Sequence, residues 1–439
     1  MSESRTTQSP APGVLRVGRE ALETRAELPG GRELLDLARE QSDLALVGGA
    51  VRDLLLGGDP RELDVTVAHG SAELARRLEA AVQTGLAAGA PAPRITLHER
   101  FGTASVEWIH GCVDIAELRA ESYPQPGALP EVRPAEVVED LARRDFTVNA
   151  IALALGGERR GELAVVDHAL EDLGAGRLRV LHERSFIEDP TRMLRLARYA
   201  ARLGFQIEPR TLSLAQAAIT AGALGTVSGA RIAAELWLCR QEPRPLEALT
   251  ALSELGVLGA LGLPPRFDSE LARAACSLLA PDGDADIAAI AVLFHPAQQD
   301  GDEARRAAAQ LMESFELPSA TRERVLASAF GMSALALELQ REQRPSQLRV
   351  LFAGRPVEAI AIAGALAARR APAATTGVRR WLAELRHMRL QIGGEDLLAA
   401  GIPAGPQIGR RLDAVLALRL DGELAEGREA ELRAAMDAP

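Results

Sequence analysis

The sequence contains no lysine, so all 50 of its basic side chains are arginines. Any side chain that binds phosphate by its charge must then be an arginine, whose planar guanidinium can hold two phosphate oxygens at once. Aromatic residues make up only 3% of the 439 residues. This scarcity excludes the extended base-stacking platforms that single-strand-binding proteins use.

Cysteines are also few, and long apolar runs are missing. Cys112, Cys239 and Cys276 lie far apart without a C-x-x-C pair, which argues against a disulfide framework or a zinc site and favours free thiols. No uncharged apolar run approaches the ~20 residues of a membrane span, and no apolar signal segment is visible near the N-terminus. We therefore expect a cytoplasmic protein without a membrane segment.

The net charge is -11, with 25% charged and 47% hydrophobic residues. This balance is ordinary for a globular protein and argues against a broadly basic nucleic-acid coat. It leaves room for a local basic groove, because binding follows the local field rather than the total charge. The length predicts two to four domains.

Strand-like and helix-like segments alternate in the first third of the chain. The strand pattern covers 44–47, 63–67, 94–97, 104–108 and 112–115, and the helical pattern covers 50–56 and 72–82. This alternation predicts an α/β or α+β domain that ends near Leu155. From about Asp189 onward, apolar residues recur at helical spacing, which predicts an all-helical remainder.

A glycine pair joins the first strand to the first helix of this pattern. Gly48 and Gly49 allow close approach of the backbone to a ligand, and the helix that follows directs free N–H groups to the same point. Arg52 lies in the first turn, where it could reach a triphosphate. The alternative is a tight strand-to-helix turn with a surface arginine.

Three acidic residues lie on predicted strands. Glu62 and Asp64 are two apart and would share one face of a strand, while Asp114 interrupts an apolar strand. Carboxylates in such an arrangement suit Mg²⁺, which prefers oxygen ligands. The alternative for each acid is a solvated charge on an edge strand.

These pieces belong to an ordered set of motifs along the chain. The motifs are, in order, Gly48-Gly49-Ala50-Val51-Arg52-Asp53, Glu62-Leu63-Asp64, Phe101-Gly102-Thr103-Ala104, Val113-Asp114-Ile115-Ala116, Arg143-Arg144-Asp145-Phe146-Thr147-Val148-Asn149-Ala150 and Glu188-Asp189-Pro190-Thr191-Arg192. The set resembles class II tRNA nucleotidyltransferases, a family that contains bacterial CCA-adding, CC-adding and A-adding enzymes and poly(A) polymerases.

The resemblance implies a fold and a domain order. We expect an α+β head of the polymerase-β nucleotidyltransferase type, followed by an all-α neck, body and tail. The expected bounds are 1–28 for a flexible leader, 29–155 for the catalytic head, 156–265 for the neck and 266–439 for body and tail. The neck would recognise the nucleotide, and the helical part would bind tRNA.

The resemblance also implies a reaction, the addition of CCA or part of it to the 3′ end of tRNA from CTP and ATP with two Mg²⁺ ions. Glu62, Asp64 and Asp114 would be the catalytic and metal-binding acids. The implied nucleotide-binding residues are Gly48, Gly49, Arg52, Arg144, Asp145, Asn149, Asp189, Arg192 and Arg195. Alternatives are a CC-only or A-only enzyme, or a tRNA-binding homologue with attenuated catalysis.

Asp189 and Arg192 are three residues apart and would lie on one helical face. A carboxylate offers acceptors and a guanidinium offers donors, so the pair can match the hydrogen-bonding edge of cytosine or adenine. The alternatives are a helix cap at Asp189 and an intrahelical ion-pair ladder of Arg192 and Arg195 with Glu188 and Asp189.

The chain departs from the family pattern at three places. Glu62 stands where relatives usually have Asp, and its longer arm must fold back to meet the strict geometry of Mg²⁺. The segment around His168 lacks the glycine turn of relatives. Glu117 and Leu118 replace small or hydroxyl residues ahead of a loop at 119–130 that affects addition of the terminal A.

Overall fold

The computed structural model describes residues 28–60, 62–98, 102–295 and 301–438. The chain divides into two compact units, Met1–Ser228 and Gly229–Pro439. The predicted leader falls almost wholly on residues 1–27, which lie outside the described residues, as does Phe101 of the third motif.

Unit 1 combines strands and helices. Its strands are β1 (Ala45–Val47), β2 (Leu63–Val67), β3 (Arg94–His98), β4 (Thr103–Trp108), β5 (Gly111–Glu117), β6 (Arg119–Ser122), β7 (Glu131–Pro134), β8 (Ile151–Ala154), β9 (Leu163–Val165), β10 (Arg177–Leu178) and β11 (Gln206–Ile207). Its helices are α1 (Gly31–Leu37), α2 (Gly49–Leu55), α3 (Ser71–Gly85), α4 (Val137–Ala142), α5 (Ala169–Gly174), α6 (Ser185–Glu188), α7 (Thr191–Leu203) and α8 (Pro209–Thr220).

Seven of these strands form one mixed sheet in the order β3-β4-β5-β2-β1-β8-β9. β2 and β5 run parallel, and the other neighbours are antiparallel. β6 and β7 form a separate hairpin, and β10 pairs with β11. The parallel pair lies in the middle of the sheet, so each of its two strands is hydrogen-bonded to a neighbour on both sides.

Burial follows the expected strand and helix periods. In β2, Leu63, Val65 and Val67 are buried, which fixes the face on which Asp64 stands. α3 buries Leu74 and Leu78 at helical spacing and packs against β3, β4 and β5. The central strands are therefore held rigidly where the acids stand.

Unit 2 is helical throughout its described residues. Its helices are α9 (Gly229–Arg240), α10 (Pro245–Leu255), α11 (Val257–Ala260), α12 (Ser269–Leu278), α13 (Ala285–Phe294), α14 (Asp302–Ser314), α15 (Ser319–Ala329), α16 (Met332–Leu339), α17 (Pro345–Phe352), α18 (Val357–Ala368), α19 (Ala374–Ala383), α20 (Gly394–Ala399), α21 (Pro406–Leu420) and α22 (Arg428–Asp437).

α18 is the central helix of unit 2. Small and apolar residues make it buried nearly all round, and it packs against α12, α13, α15, α16 and α19. Its buried Glu358 accepts hydrogen bonds from the backbone N–H of Asp284 (2.8 Å) and from the Arg324 guanidinium. Arg324 therefore holds two helices of unit 2 together.

The predicted strands and helices of the first third are confirmed within one to three residues. The sheet continues through β8 and β9 to Val165, ten residues beyond the expected end of the head at 155. The segment 156–265 is mostly helical and also contains the short strands β9, β10 and β11. Strands of only two or three residues are too short to leave an alternating pattern in the sequence.

Candidate active site

The strand-to-helix turn is built on a glycine that no other residue could replace without strain. Gly48 has φ 68° and ψ -132°, a conformation that L side chains avoid. A Cβ atom placed there would lie 2.8 Å from Nη1 of Arg144 and 3.9 Å from Oδ2 of Asp64. The turn therefore runs directly beside a guanidinium and a carboxylate.

Asp64 and Asp114 are cross-strand partners on the parallel pair β2 and β5. Partners in register point to the same face of a sheet, so the two carboxylates lie side by side. Burial and the neighbouring charge of Asp114 raise the pKa of Asp64 to about 6, with a further contribution from Glu62 and opposition from Arg144. The pair concentrates negative charge where a cation would relieve it.

Glu62 does not stand on the strand, contrary to the prediction. β2 begins at Leu63, and Glu62 is an exposed residue in the bend before it. Within the described ranges, no three His, Cys, Asp or Glu side chains converge on one point as a metal site. The in-register aspartates fit a divalent cation, and Glu62 would complete a three-acid set only if its longer side chain turned toward them.

Arg144 is held at the glycine turn by a buried acid. Asp140 on α4 is 1% exposed and accepts from Nε and Nη2 of Arg143 (2.9 and 2.8 Å) and from Nη2 of Arg144 (3.0 Å). The Nε of Arg144 is buried without a hydrogen-bond partner. The Arg144 guanidinium thus keeps donor capacity at the turn, as an anion-binding group should.

Asp145 and Asn149 form the centre of a buried network. Oδ1 of Asp145 accepts from the Asn149 amide (2.9 Å), and Oδ2 accepts from Nε of Arg195 (2.8 Å). Burial alone would raise the pKa of Asp145, but Arg195 and Asn149 hold it at about 2. Arg195 also donates to the Tyr199 hydroxyl (3.0 Å). The network fixes both motif residues against α7.

Arg52 lies beneath the turn rather than projecting from it. It is 1% exposed, donates to Asp53 (2.8 Å) and to Oδ1 of Asn149, and stacks 5.3 Å from the centroid of the Tyr199 ring. In this arrangement Arg52 joins the turn to the Asp145 network. The expected reach of Arg52 to a triphosphate would require it to leave these partners.

Asp189 and Arg192 lie at the start of α7. Oδ1 of Asp189 accepts from the N–H and hydroxyl of Thr191 (3.1 and 2.7 Å), as a cap would. Arg192 is 5% exposed and donates to Ser185 and to the carbonyl of Arg143, each at 2.7 Å. These two bonds engage both terminal nitrogens of Arg192 and fix its guanidinium.

Sequence reasoning missed three residues of this site. Asp140 precedes Arg144 by four residues and Tyr199 follows Arg195 by four, so helical spacing could have indicated both. Ser105 donates from its hydroxyl to Oδ1 of Asp114 across β4 and β5. No local pattern indicates Ser105, because only the strand register brings it to Asp114.

The structure also explains departures from the family pattern. The Glu117 carboxylate accepts from the N–H groups of Gly70 and Ser71 (2.9 and 3.1 Å) at the start of α3. Leu118 is buried in the core. His168, where relatives have a glycine turn, adopts φ 65° before α5 and pairs with Glu171. These residues serve local structure in this chain.

Comparison with known proteins adds independent findings. The family model described as the poly A polymerase head domain matches residues 44–179. An A-adding tRNA nucleotidyltransferase of Geobacter sulfurreducens is 32% identical over 423 residues, covering 92% of this chain and 46% of that protein. A CC-adding tRNA nucleotidyltransferase of Deinococcus radiodurans is 37% identical over 353 residues, covering 79% of this chain and 88% of that protein.

A solved structure agrees with these relatives. The Thermotoga maritima CCA-adding enzyme complexed with tRNA(CCA) superposes with a TM-score of 0.70 at 25% identity, covering 98% of this chain and 96% of that one. The expected fold class is thereby confirmed. The chain spans about half or less of the length of the A-adding relatives that it matches. Together with the near-complete coverage of the Deinococcus protein, these matches show that the chain belongs to the class II tRNA nucleotidyltransferase family.

Proposed function

We propose that this chain adds nucleotides of the CCA terminus to the 3′ end of tRNA, using CTP and ATP without a nucleic-acid template. The observation that carries the proposal is the in-register pair Asp64 and Asp114 beside the Gly48 turn and the Arg144 guanidinium. Carboxylates for a cation and a donor-rich turn for phosphates are the two parts that nucleotidyl transfer requires. The names of the A-adding and CC-adding relatives support the same reaction.

The acids would hold the metal, which we assign as Mg²⁺ because its ligands here are carboxylate oxygens. A bound pair of Mg²⁺ ions would activate the 3′-hydroxyl of the RNA and stabilise departing pyrophosphate. Asp64 and Asp114 would supply fixed ligands from the sheet, and Glu62 a more mobile one. Their mutual repulsion in the free protein favours cation entry.

The triphosphate would lie along the glycine turn. Gly48 and Gly49 present bare backbone beside the guanidinium groups of Arg144 and Arg52. Phosphate oxygens would approach this backbone, and Arg144 would donate to them. Asp145, Asn149 and Arg195 would hold the sugar and phosphates in place through their network. Arg52 would support the turn from below.

Asp189 and Arg192 would read the base of the incoming nucleotide. Arg192 is fixed by Ser185 and by the Arg143 carbonyl, so its remaining donors have a defined direction. The Asp189 carboxylate would accept from the amino group of cytosine or adenine. A rigid pair of this kind would discriminate between bases by hydrogen bonding, as a template would.

The helical remainder would bind tRNA by shape and phosphate contacts, as suits duplex RNA. Candidate arginines from the sequence are Arg305, Arg306, Arg322, Arg324, Arg379, Arg380, Arg410 and Arg411. Of these, Arg324 is tied to the buried Glu358 and is the weakest candidate.

Among the described residues, none of the helices has the length and apolar character that a membrane span needs. The cytoplasmic location stays a prediction.

The test is incorporation of CTP and ATP, separately and together, into tRNA that lacks its CCA end. Wild type and Glu62→Asp would be compared side by side, with Asp64→Asn as an inactive control. Synthesis that stops after CCA supports the full activity. CC alone, or A alone on tRNA ending in CC, would reassign the chain to a partial enzyme. Silence in wild type with activity in Glu62→Asp would show an attenuated homologue.

A further inference from the structure

A cavity of about 400 Å³ lies in unit 2 between α17, α21 and the segment from Trp381 to Arg389. This size is within the range of pockets that hold small ligands, about 300 to 1,000 Å³. It belongs to none of the groups assigned to nucleotidyl transfer. Its lining separates into an apolar floor and an arginine-bearing rim.

Buried apolar side chains form the floor. Phe352 and Trp381 have ring centroids 5.6 Å apart, and Leu385 and Leu420 pack beside them. All four side chains are less than a tenth exposed. The two ring planes are inclined at 60°, so a planar group would lie against the face of one ring and contact the edge of the other.

Three arginines, Arg349, Arg386 and Arg389, line the same cavity, and no acidic residue does. Arg349 donates to Asp413 (2.8 Å) and Arg386 is paired with Asp282. Within the described residues, Arg389 donates only to the backbone carbonyls of Arg386 and Met388. Its charge is therefore not neutralised by a carboxylate, and the rim favours an anion.

We infer that this cavity holds one unstacked nucleotide of the bound tRNA, with the base on the apolar floor and a phosphate on the Arg389 guanidinium. The inference rests on the proposed function, because it takes tRNA as the partner. A planar base can stack on one of the two inclined rings, Phe352 or Trp381, and a phosphate matches the guanidinium of Arg389.

The concave shape distinguishes an unstacked nucleotide from duplex RNA. A duplex presents its phosphates on a convex surface and would touch rim arginines without reaching the floor. Bases in loops and at tertiary junctions can turn outward and stack on aromatic side chains. The cavity would then recognise a folded tRNA rather than a generic hairpin, since the outward base must stand at a fixed place.

The experiment measures tRNA affinity by filter binding for wild type, Arg389→Gln, Ala353→Trp and Arg355→Gln. Ala353 is an exposed residue of the lining, and a tryptophan there would fill the cavity without changing the charge. We expect Arg389→Gln and Ala353→Trp each to weaken binding about 5- to 10-fold. Arg355, an exposed arginine outside the lining, serves as the matched control, with a change below about 2-fold.

The outcomes separate the possibilities. If Arg389→Gln weakens binding and Ala353→Trp does not, the rim contacts the RNA backbone and the floor is empty, which overturns the nucleotide assignment. Equal affinity of all four proteins also overturns it. If wild type neither binds tRNA nor incorporates nucleotides, the proposed function itself fails. Thermal unfolding midpoints confirm that each variant is folded.

Discussion

Asp114 shows how a single carboxylate can be oriented by its neighbours. Its Oδ1 accepts from the Ser105 hydroxyl, and the Cys112 thiol lies 4.0 Å from the same oxygen. Burial, followed by the charge of Asp114, raises the pKa of Cys112 to about 12, so the thiol stays protonated as a weak donor. With Oδ1 engaged, Oδ2 is the oxygen left to bind a cation, which predicts a role for Ser105.

Ser105→Ala should weaken divalent-metal binding about 10-fold, because hydrogen-bond partners of ligating carboxylates tune affinity by 10- to 100-fold. Binding of Mn²⁺ to the RNA-free protein, followed by electron paramagnetic resonance, measures this without turnover. Ser105→Thr keeps the hydroxyl and the strand propensity and should bind like wild type. Unchanged affinity in Ser105→Ala would refute the positioning role.

Asp145 predicts an acid-dependent loss of stability. Its folded pKa of about 2 lies below the unfolded value of about 3.9, so the folded state prefers the charged form. The resulting stabilisation, on the order of 2 kcal/mol, is present above about pH 4 and is lost as the pH falls toward 2. The difference in unfolding free energy between wild type and Asp145→Asn should shrink over that window. A difference independent of pH would contradict this account.

At the scale of elements, one strand stabilises the start of a helix. Glu117 at the end of β5 accepts from two free N–H groups at the first turn of α3. A carboxylate at this position also interacts favourably with the helix dipole. Since α3 packs on β3, β4 and β5, the cap joins the helix to the strand that carries Asp114.

Glu117→Ala should lower the free energy of unfolding by about 1 kcal/mol, the usual cost of a lost helix cap. Glu117→Gln keeps an acceptor oxygen and should lose about half as much. Urea denaturation measures both, with Gln83→Ala on the exposed face of α3 as a control that stays near wild type. If Glu117→Ala has the same free energy of unfolding as that control, the contacts of Glu117 do not cap α3.

The sequence predicted the strands and helices that bury only one face, because burial of one face makes apolar residues recur at a regular spacing. β8 and β9 were not predicted, since strands of three or four residues that are all apolar carry no alternation. Glu62 was placed on a strand because acid-x-acid spacing cannot show where a strand begins. The burial of Arg52 and the contact of Ser105 with Asp114 depend on register and packing between distant segments, which no local pattern encodes.

At the scale of the whole molecule, a net charge of -11 coexists with an arginine-only set of cations. In unit 1 many of these arginines form ion pairs within the protein. Arg195 pairs with Asp145, and Arg143 pairs with Asp140 and Glu121. The proposed tRNA binding would therefore rely on a limited number of arginines for phosphate contacts. Binding of RNA should show this as a modest salt dependence.

We expect the affinity for tRNA to fall with salt with a log–log slope of about -3 to -5, which corresponds to a few phosphate contacts. Affinity measured between 50 and 300 mM NaCl gives the slope. A DNA duplex of equal length should bind more weakly throughout and serves as the control. A slope near zero would exclude a basic RNA groove, and one near -10 would require many more contacts than an acidic chain provides.

The parallel pairing of β2 and β5 has a consequence for the order in which the protein folds. It joins segments about 50 residues apart in the chain, whereas β4 and β5 form a local hairpin. Contacts of such long range form late, because the intervening loop must first lose its freedom. A nascent or misregistered chain would carry both aspartates without the side-by-side carboxylates that the proposed cation site needs. The proposed activity would then appear only when this pairing is complete.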